Sequence, residues 1–362
     1  MNLQQIGTKI GMLQEKNPYL FIIGFVLAFV VALPGLFLLL DNVEPSLEKV
    51  LPQDLEEIIL LNNMRSEFSA DMVHIVFFIE EPLFDVLDPQ VFQYLDMFTQ
   101  RVVENDFVFS TQSIANLLQG PLPQSIESSM QLLTHPHIYS LINYDRSLTV
   151  MHVQTDTGAT ASSIASVVSD IEMELERLEN SNPGLRYYIT GFTVIDKATF
   201  TVIISDFMKI TGLSFFLIVA FLLLYFRSFI KVGISLSLLG FSVLLTLGFV
   251  GYIGIEITVV TMVAAAMIMA LGISYAVNIL YEYETIAKSV KSKLPQLQQK
   301  LIVALIGSSL TTSSGFLALL FGVIPAMKNL GIILAMGILI TMITGILLIP
   351  VLLHIVYGGK KK

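Results

Sequence analysis

The feature that most constrains this chain is a run of 22 residues, Tyr19 to Leu40, without a single charge. At about 1.5 Å rise per residue an α-helix of that length reaches roughly 33 Å, enough to cross the hydrocarbon core of a bilayer. Five more apolar runs follow: Met208 to Phe226, Val232 to Tyr252, Thr258 to Leu280, Leu301 to Ile324 and Leu330 to Val356. Six transmembrane helices are therefore expected, because a helix satisfies its own backbone hydrogen bonds where lipid offers none. Lys9 and Lys16 before the first run also suit a cleaved secretory signal. That run is too long and lacks a small-x-small site, so an uncleaved anchor is expected.

Hydrophobic residues make up 54% of the chain and charged residues 14%, against about a quarter charged in soluble domains. The charge is also unevenly placed. Of 29 acidic residues, 25 fall between Asp41 and Asp206, alongside seven Lys or Arg. The segment 41–207 is thus expected to be an acidic, water-exposed domain. Such a surface repels a polyanion, which excludes nucleic acid as a partner. There is no Cys, so disulfides, thiolate metal sites and Cys nucleophiles are excluded together. Of the five His only His135 and His137 are close in sequence, with Pro136 between them and no carboxylate beside them. A solvated loop is the expectation there, with no metal and no cofactor.

Within the acidic segment, Met72 to Glu80 and Arg146 to Gln154 are rich in β-branched and aromatic residues and read as strands. Each precedes a segment with apolar residues at three- and four-residue spacing, Pro89 to Glu104 and Ala159 to Leu178, which reads as a helix. Short apolar runs at Phe107 to Phe109 and Leu185 to Ile189 complete strand-helix-strand twice, predicting a ferredoxin-like α+β unit. Ser110 to Asp145, with Pro121, Pro123 and Pro136, falls outside the repeat and is expected to be an inserted helical segment.

The short loops set orientation. The N-terminus, Arg227 with Lys231, the cluster Lys288, Lys291, Lys293 and Lys300, and the last three Lys share one side, and Lys328 lies on the other. The positive-inside rule then puts both termini in the cytoplasm and the acidic domain outside, in a multi-pass cell-membrane protein. The expected layout is a cytoplasmic N-terminus (1–18), a first span (19–40), an extracytoplasmic domain (41–207), spans two to six (208–356) and a basic cytoplasmic tail (357–362).

One span, a large external domain and five spans with short connections resemble one half of a resistance-nodulation-division (RND) transporter. Particular segments carry the resemblance. LPQDLEEIILLNNMRSEF after the first span looks like the start of the family's porter domain, and YYITGFTVI looks like its last strand. YFRSF at Tyr225 to Phe229 resembles the turn after the second span, MALGISYAVNILYEYE from Met269 the fourth span, and LTTSSGFLAL from Leu310 the fifth. The likeness covers nearly the whole chain. A single porter unit is closer to hydrophobe exporters, mycobacterial lipid transporters and Patched-like sterol-sensing proteins than to multidrug pumps. It implies lipid or amphiphile transport, and assembly with an identical chain or a second RND half.

The resemblance also implies a proton-carrying Asp in the fourth span, in a Gly-x-Asp-Tyr setting. Here that setting reads Gly272, Ile273, Ser274, Tyr275. A hydroxyl does not titrate between pH 5 and 8, so ordinary proton coupling is in doubt for this chain. Glu256, Glu282 and Glu284 sit at span ends, where a carboxylate is readily solvated, and Glu282 is the candidate among them. His354 reads as interfacial. Ser274, Asn278 and Glu282 share a helical face at four-residue spacing, as do Ser308, Thr311, Thr312 and Gly315 in the fifth span. These residues, with Tyr275, are the coupling candidates. Two readings stay open: a polar path between the two spans, or close helix packing through small residues. Asn278 is costly in lipid under either reading and is expected to face protein.

Two functions follow as expectations. The first is a transporter half; the second, favoured by Ser274, is a lipid-sensing or scaffold protein that does not pump. An enzyme is not expected, because the chain has no nucleotide loop, no Gly-x-Ser-x-Gly and no clustered catalytic carboxylates.

Overall fold

A computed structural model describes residues 2–43, 50–68, 71–81, 83, 85–117, 121–157, 161–182, 184–258, 260–287 and 293–358. The expected basic residues Lys288 and Lys291 and the C-terminal three Lys lie outside the described residues. The chain divides into two compact units, one built from residues 1–44, 49–52 and 203–362 and the other from 45–48 and 53–202.

The smaller unit runs α3 (Glu56–Phe68), β1 (Asp71–Ile79), α4 (Pro89–Val102), β2 (Val108–Gln112), α5 (Ile126–Met130), β3 (Leu148–Thr155), α6 (Ala161–Ser181) and β4 (Leu185–Gly191). Its four strands form an antiparallel sheet in the order β2-β3-β1-β4. Alternation drives it: Val73, Ile75 and Phe77 of β1 and Met151 and Val153 of β3 are fully buried. They pack on Phe92, Leu95 and Phe98 of α4 and Val167, Val168, Ile171 and Leu175 of α6. Burying one such side chain stabilises the fold by about 1.5–3 kcal/mol. Phe77 and Phe98 meet edge to face at 6.1 Å. Asp88 starts α4 by accepting from the Gln90 backbone N–H at 3.0 Å, with Pro89 at the first helical position.

Two boundaries differ from expectation. Ser110, Thr111 and Gln112 belong to β2 rather than to the insert, because they pair with Gln154, Val153 and His152 of β3. The rest of the insert holds the five-residue α5 and two short 3-10 turns. The helix of the second span, α7 (Phe192–Phe226), begins 16 residues before the apolar run at Met208. Its first turns carry polar residues that bond to the sheet unit, Thr193 to Thr155 and Lys197 to Glu172 of α6, so hydropathy alone missed them.

The larger unit contains α1 (Leu3–Lys16), α2 (Pro18–Asp41), the later part of α7, α8 (Phe229–Ile253), α9 (Ala264–Ala287), α10 (Lys293–Leu317) and α11 (Pro325–Gly358). Six helices, α2 and α7 to α11, are long and apolar enough to cross a membrane. Arg227 makes the turn between α7 and α8 at φ +49°, a left-handed conformation uncommon for a side-chain-bearing residue. The helices pack through small residues. A Cβ on Gly35 or Gly251 would overlap backbone of the opposite helix, so α2 and α8 cross in near backbone contact.

α1 is held as closely. A Cβ on Gly7 would lie 2.6 Å from the Gln298 carbonyl oxygen, and one on Gly11 would lie 2.5 Å from Pro295 Cα. α10 thus starts eight residues before the expected run, and its first turns bury Leu294, Leu297 and Gln298. Pro350 lies inside α11 and has no N–H to give the carbonyl of Ile346 four residues earlier. Two buried amides replace it. Gln14 Nε2 donates to the Ile346 and Leu347 carbonyls at 3.1 Å each, and Gln298 Nε2 donates to Ile346 O and, at 2.9 Å, to Gln14 Oε1.

Candidate functional site

The Gly272-Ile273-Ser274-Tyr275 segment lies mid-way along α9. Gly272 fixes its orientation: a Cβ there would lie 2.8 Å from Leu239 of α8 and 3.0 Å from Thr341 of α11, so these helices close on α9 at this point. The turn that follows directs its side chains two ways. Tyr275 points inward, 5% exposed, and its hydroxyl accepts from Ser309 Oγ of α10 at 2.9 Å. Ser274 points outward, and its hydroxyl donates to the Leu271 carbonyl of its own helix at 2.7 Å.

The other candidates divide in the same way. Asn278 is exposed on this chain, and among the described residues its amide has no hydrogen-bond partner. Ser308 and Thr311 are exposed and Thr312 is half-buried. Thr311 and Thr312 donate at 2.9 Å to the carbonyls of Gly307 and Ser308, four residues back. Glu282 is not an isolated carboxylate: Lys300 Nζ of α10 lies 3.0 Å from it. Glu284 pairs with Lys231 of α8. Around the Tyr275–Ser309 bond, α9 and α10 therefore present an outward-facing surface of hydroxyl and amide groups that, among the described residues, bond only within their own helices or, for Asn278, not at all.

Of the residues that make interhelical bonds here, Tyr275 and Glu282 were sequence candidates, whereas Ser309 and Ser313 of α10 were missed. Ser309 and Ser313 are buried, and Ser313 donates to the Ala335 carbonyl of α11 at 3.2 Å. Both are flanked by the hydroxyl residues that were singled out, so the composition of the segment marked the region without telling which face it used. In the sheet unit, β1 and β3 bring His74 and His152 together, Nδ1 to Nδ1 at 2.7 Å, although 78 residues separate them. Burial, and after it the neighbouring His74, lower the pKa of His152. His135 and His137 are near neighbours, and His135 Nδ1 accepts from the His137 backbone N–H at 3.3 Å. No cluster of three or more His, Asp or Glu suited to a metal occurs among the described residues.

Six helices of membrane-spanning length joined to a small antiparallel sheet unit, with small-residue crossings between the spans, define a polytopic membrane protein. The profile of the MMPL family matches residues 122–361, and the chain belongs to that family, within the RND superfamily. It is similar to a protein of Methanocaldococcus jannaschii named only as a membrane protein, with 24% identity over 98% of this chain and 94% of that one. It is also similar to MmpL4 of Mycobacterium leprae, named as a transport protein, with 27% identity over 182 residues. That second match takes in 48% of this chain and 19% of the mycobacterial one, so this chain spans only a small part of its length.

Proposed function

We propose that this chain is one half of an RND-type transporter that moves lipids or hydrophobic amphiphiles, working with an identical chain or a different half. The observation that carries this reading is the outward face of α9 and α10. Asn278 has no partner among the described residues, and an unbonded amide at membrane depth is costly, so a covering helix is required. A second subunit placing its own fourth and fifth spans there would supply the partner and enclose the hydroxyls of Ser308 and Thr311. The mycobacterial relative is named as a transport protein, and that activity is carried over in this reading.

The sheet unit is read as a ferredoxin-like porter domain, on the strength of its strand order and its two packed helices. The bias of Lys and Arg among the short loops supports both termini in the cytoplasm and this domain outside. Ser274 cannot carry a proton by titration, so coupling is assigned to a partner half or to another group. A second reading, a lipid sensor or scaffold that does not pump, is favoured by one observation: the Ser274 hydroxyl is already bonded within its own helix.

The test is mass measurement in lipid nanodiscs. The parent is expected as a dimer or larger, alone or with a second half, and Asn278→Leu as a single chain. A parent that stays monomeric in lipid overturns the assembly. A reporter at Gln124 is expected to react with impermeant reagent in intact cells, and protection there overturns the orientation.

A further inference from the structure

Away from the α9/α10 face, the larger unit carries an apolar groove of ≈ 470 Å³ between α2, α8 and α11, with α1 at one end. Phe25, Leu245 and Thr344 form its buried floor. Leu13, Leu20, Phe249 and Ile343 on its rim are exposed, so it opens sideways from the unit. Its width comes from Gly24: a Cβ built there would meet nothing within 4 Å. The volume is within the range of small-molecule sites, roughly 300–1,000 Å³, and the lining is of the kind that takes a hydrocarbon chain rather than a polar ligand.

Its position says which hydrocarbon. Three of the helices that form it are membrane spans, so the groove opens toward acyl chains. The end that carries Leu13 belongs to α1, whose exposed Leu13 lies one helical turn before exposed Lys16. Lys16, exposed in the last turn of α1, stands between Leu13 and Leu20 in sequence, and both of these are rim residues. A cation thus stands two residues before the start of the first span, where an anionic headgroup would lie if Pro18 marks the edge of the hydrocarbon. The floor of the mouth is also fixed, because Leu347, a lining residue, has its carbonyl bonded to Gln14 of α1.

We propose that this groove is a binding site for an anionic phospholipid, with one acyl chain lying along Gly24 and Ile343 and the headgroup phosphate beside Lys16. The site does not depend on the transport reading, since it lies on helices α2, α8 and α11 and its occupant is held rather than moved. Chain burial alone gives little preference over bulk lipid, because both environments are apolar. Selectivity comes from the fit of the chain and from the charge at Lys16.

The experiment uses the full chain purified in mild detergent and titrated with palmitoyl-oleoyl phosphatidylglycerol or the corresponding phosphatidylcholine, with retained lipid read by native mass spectrometry. One phosphatidylglycerol per chain is expected at saturation, retained several-fold over phosphatidylcholine. Gly24→Phe, which fills the groove, is expected to lose it, and Lys16→Gln to retain the two lipids equally. If Gly24→Phe fails to fold, Ala28→Leu fills the groove one turn along, and a phosphatidylglycerol with a photoreactive acyl chain tests the parent directly by cross-linking to peptides containing Gly24 or Ile343. Unsaturable retention, retention by the filled variants equal to the parent, or cross-links spread over other spans would each overturn the site. Equal retention of both lipids by the parent would overturn the anionic assignment.

Discussion

The two ends of α10 solve the same problem in opposite ways. At its start, Gln298 is buried under α1 and bonds across helices, to Gln14 and to the Ile346 carbonyl that Pro350 leaves open. Toward its end, Ser308, Thr311 and Ser314 lie on the surface, and the hydroxyls of Thr311 and Ser314 return to carbonyls of their own helix. The first end is bonded across helices within one chain; on the exposed face of the second, the hydroxyls bond only within their own helix. Cross-helix bonding thus marks where a membrane subunit is finished, and local back-bonding marks where it can tolerate either lipid or a partner.

The largest effect should come from separating α1 from α10. Gly11→Val places atoms where Pro295 backbone already stands, and overpacking of this kind costs about 1–3 kcal/mol, occasionally more. Thermal unfolding in detergent should show that loss, with proteolysis at the N-terminus releasing α1. Unchanged stability would mean that α1 is not docked through Gly7 and Gly11.

Next is the clamp itself. Gln298→Leu removes the bonds to Gln14 and Ile346 and is expected to cost about 1–3 kcal/mol, the usual range when a buried polar partner is left behind. The Gln298 Oε1 atom is itself buried without a partner, which limits the loss. Gln14→Leu should be strongly non-additive with it in a double-mutant cycle, since both amides serve one carbonyl. Additive losses would break the comparison, because the two ends of α10 would then be bonded equally locally.

A smaller effect is expected in the sheet unit, where His74 and His152 also bond across elements. The folded pKa of His152 lies below the ordinary 6.5, so the neutral ring is the form that folding favours. Its contribution is fully present above about pH 6.5 and falls as the pH drops from there toward the lowered folded value, because the unfolded chain takes up the proton first. Amide-exchange protection in β1 and β3, taken relative to the intrinsic rate at each pH, should therefore fall between neutral pH and pH 5, and His152→Gln should flatten that dependence. An equal pH dependence in the variant would assign it to other groups.

These contrasts explain what was legible in the amino-acid order. Six spans could be read because lipid imposes a length and a composition on each run, and the paired strands because Val73, Ile75 and Phe77 alternate with polar or half-buried neighbours. The His74–His152 contact could not, because it depends on the register between strands 78 residues apart. Nor could the clamp: Gln14 and Gln298 read as ordinary polar residues outside the spans, and only the carbonyl that Pro350 leaves open in α11 gives them an acceptor. For the candidate site, Gly272 to Tyr275 and the Ser/Thr-rich segment pointed to α9 and α10, which the Tyr275–Ser309 bond joins. Which hydroxyls turned inward was undecided, because small residues suit either face of a transmembrane helix.

The smallest effect on the chain itself is expected at the open end of α10, and it is the most direct test of what that end is for. Thr311→Val removes a hydroxyl that donates only to Gly307 of its own helix, and Ser308→Ala removes one that is exposed. Neither breaks a bond to another helix, so the stability of the isolated chain should change by no more than about 0.5 kcal/mol. Glu282→Gln belongs with them: it weakens a half-exposed ion pair to Lys300, an interaction worth about 1 kcal/mol or less. If a second subunit covers this face, the paired variant Ser308→Ala with Thr311→Val should nonetheless shift the nanodisc mass distribution toward the single chain, since the hydroxyls would then lose partners that the isolated chain does not contain. A loss of monomer stability comparable to that of Gln298→Leu would show instead that these hydroxyls already bond within the chain. The two ends of α10 would then be alike, and the argument for a covering partner would rest on Asn278 alone.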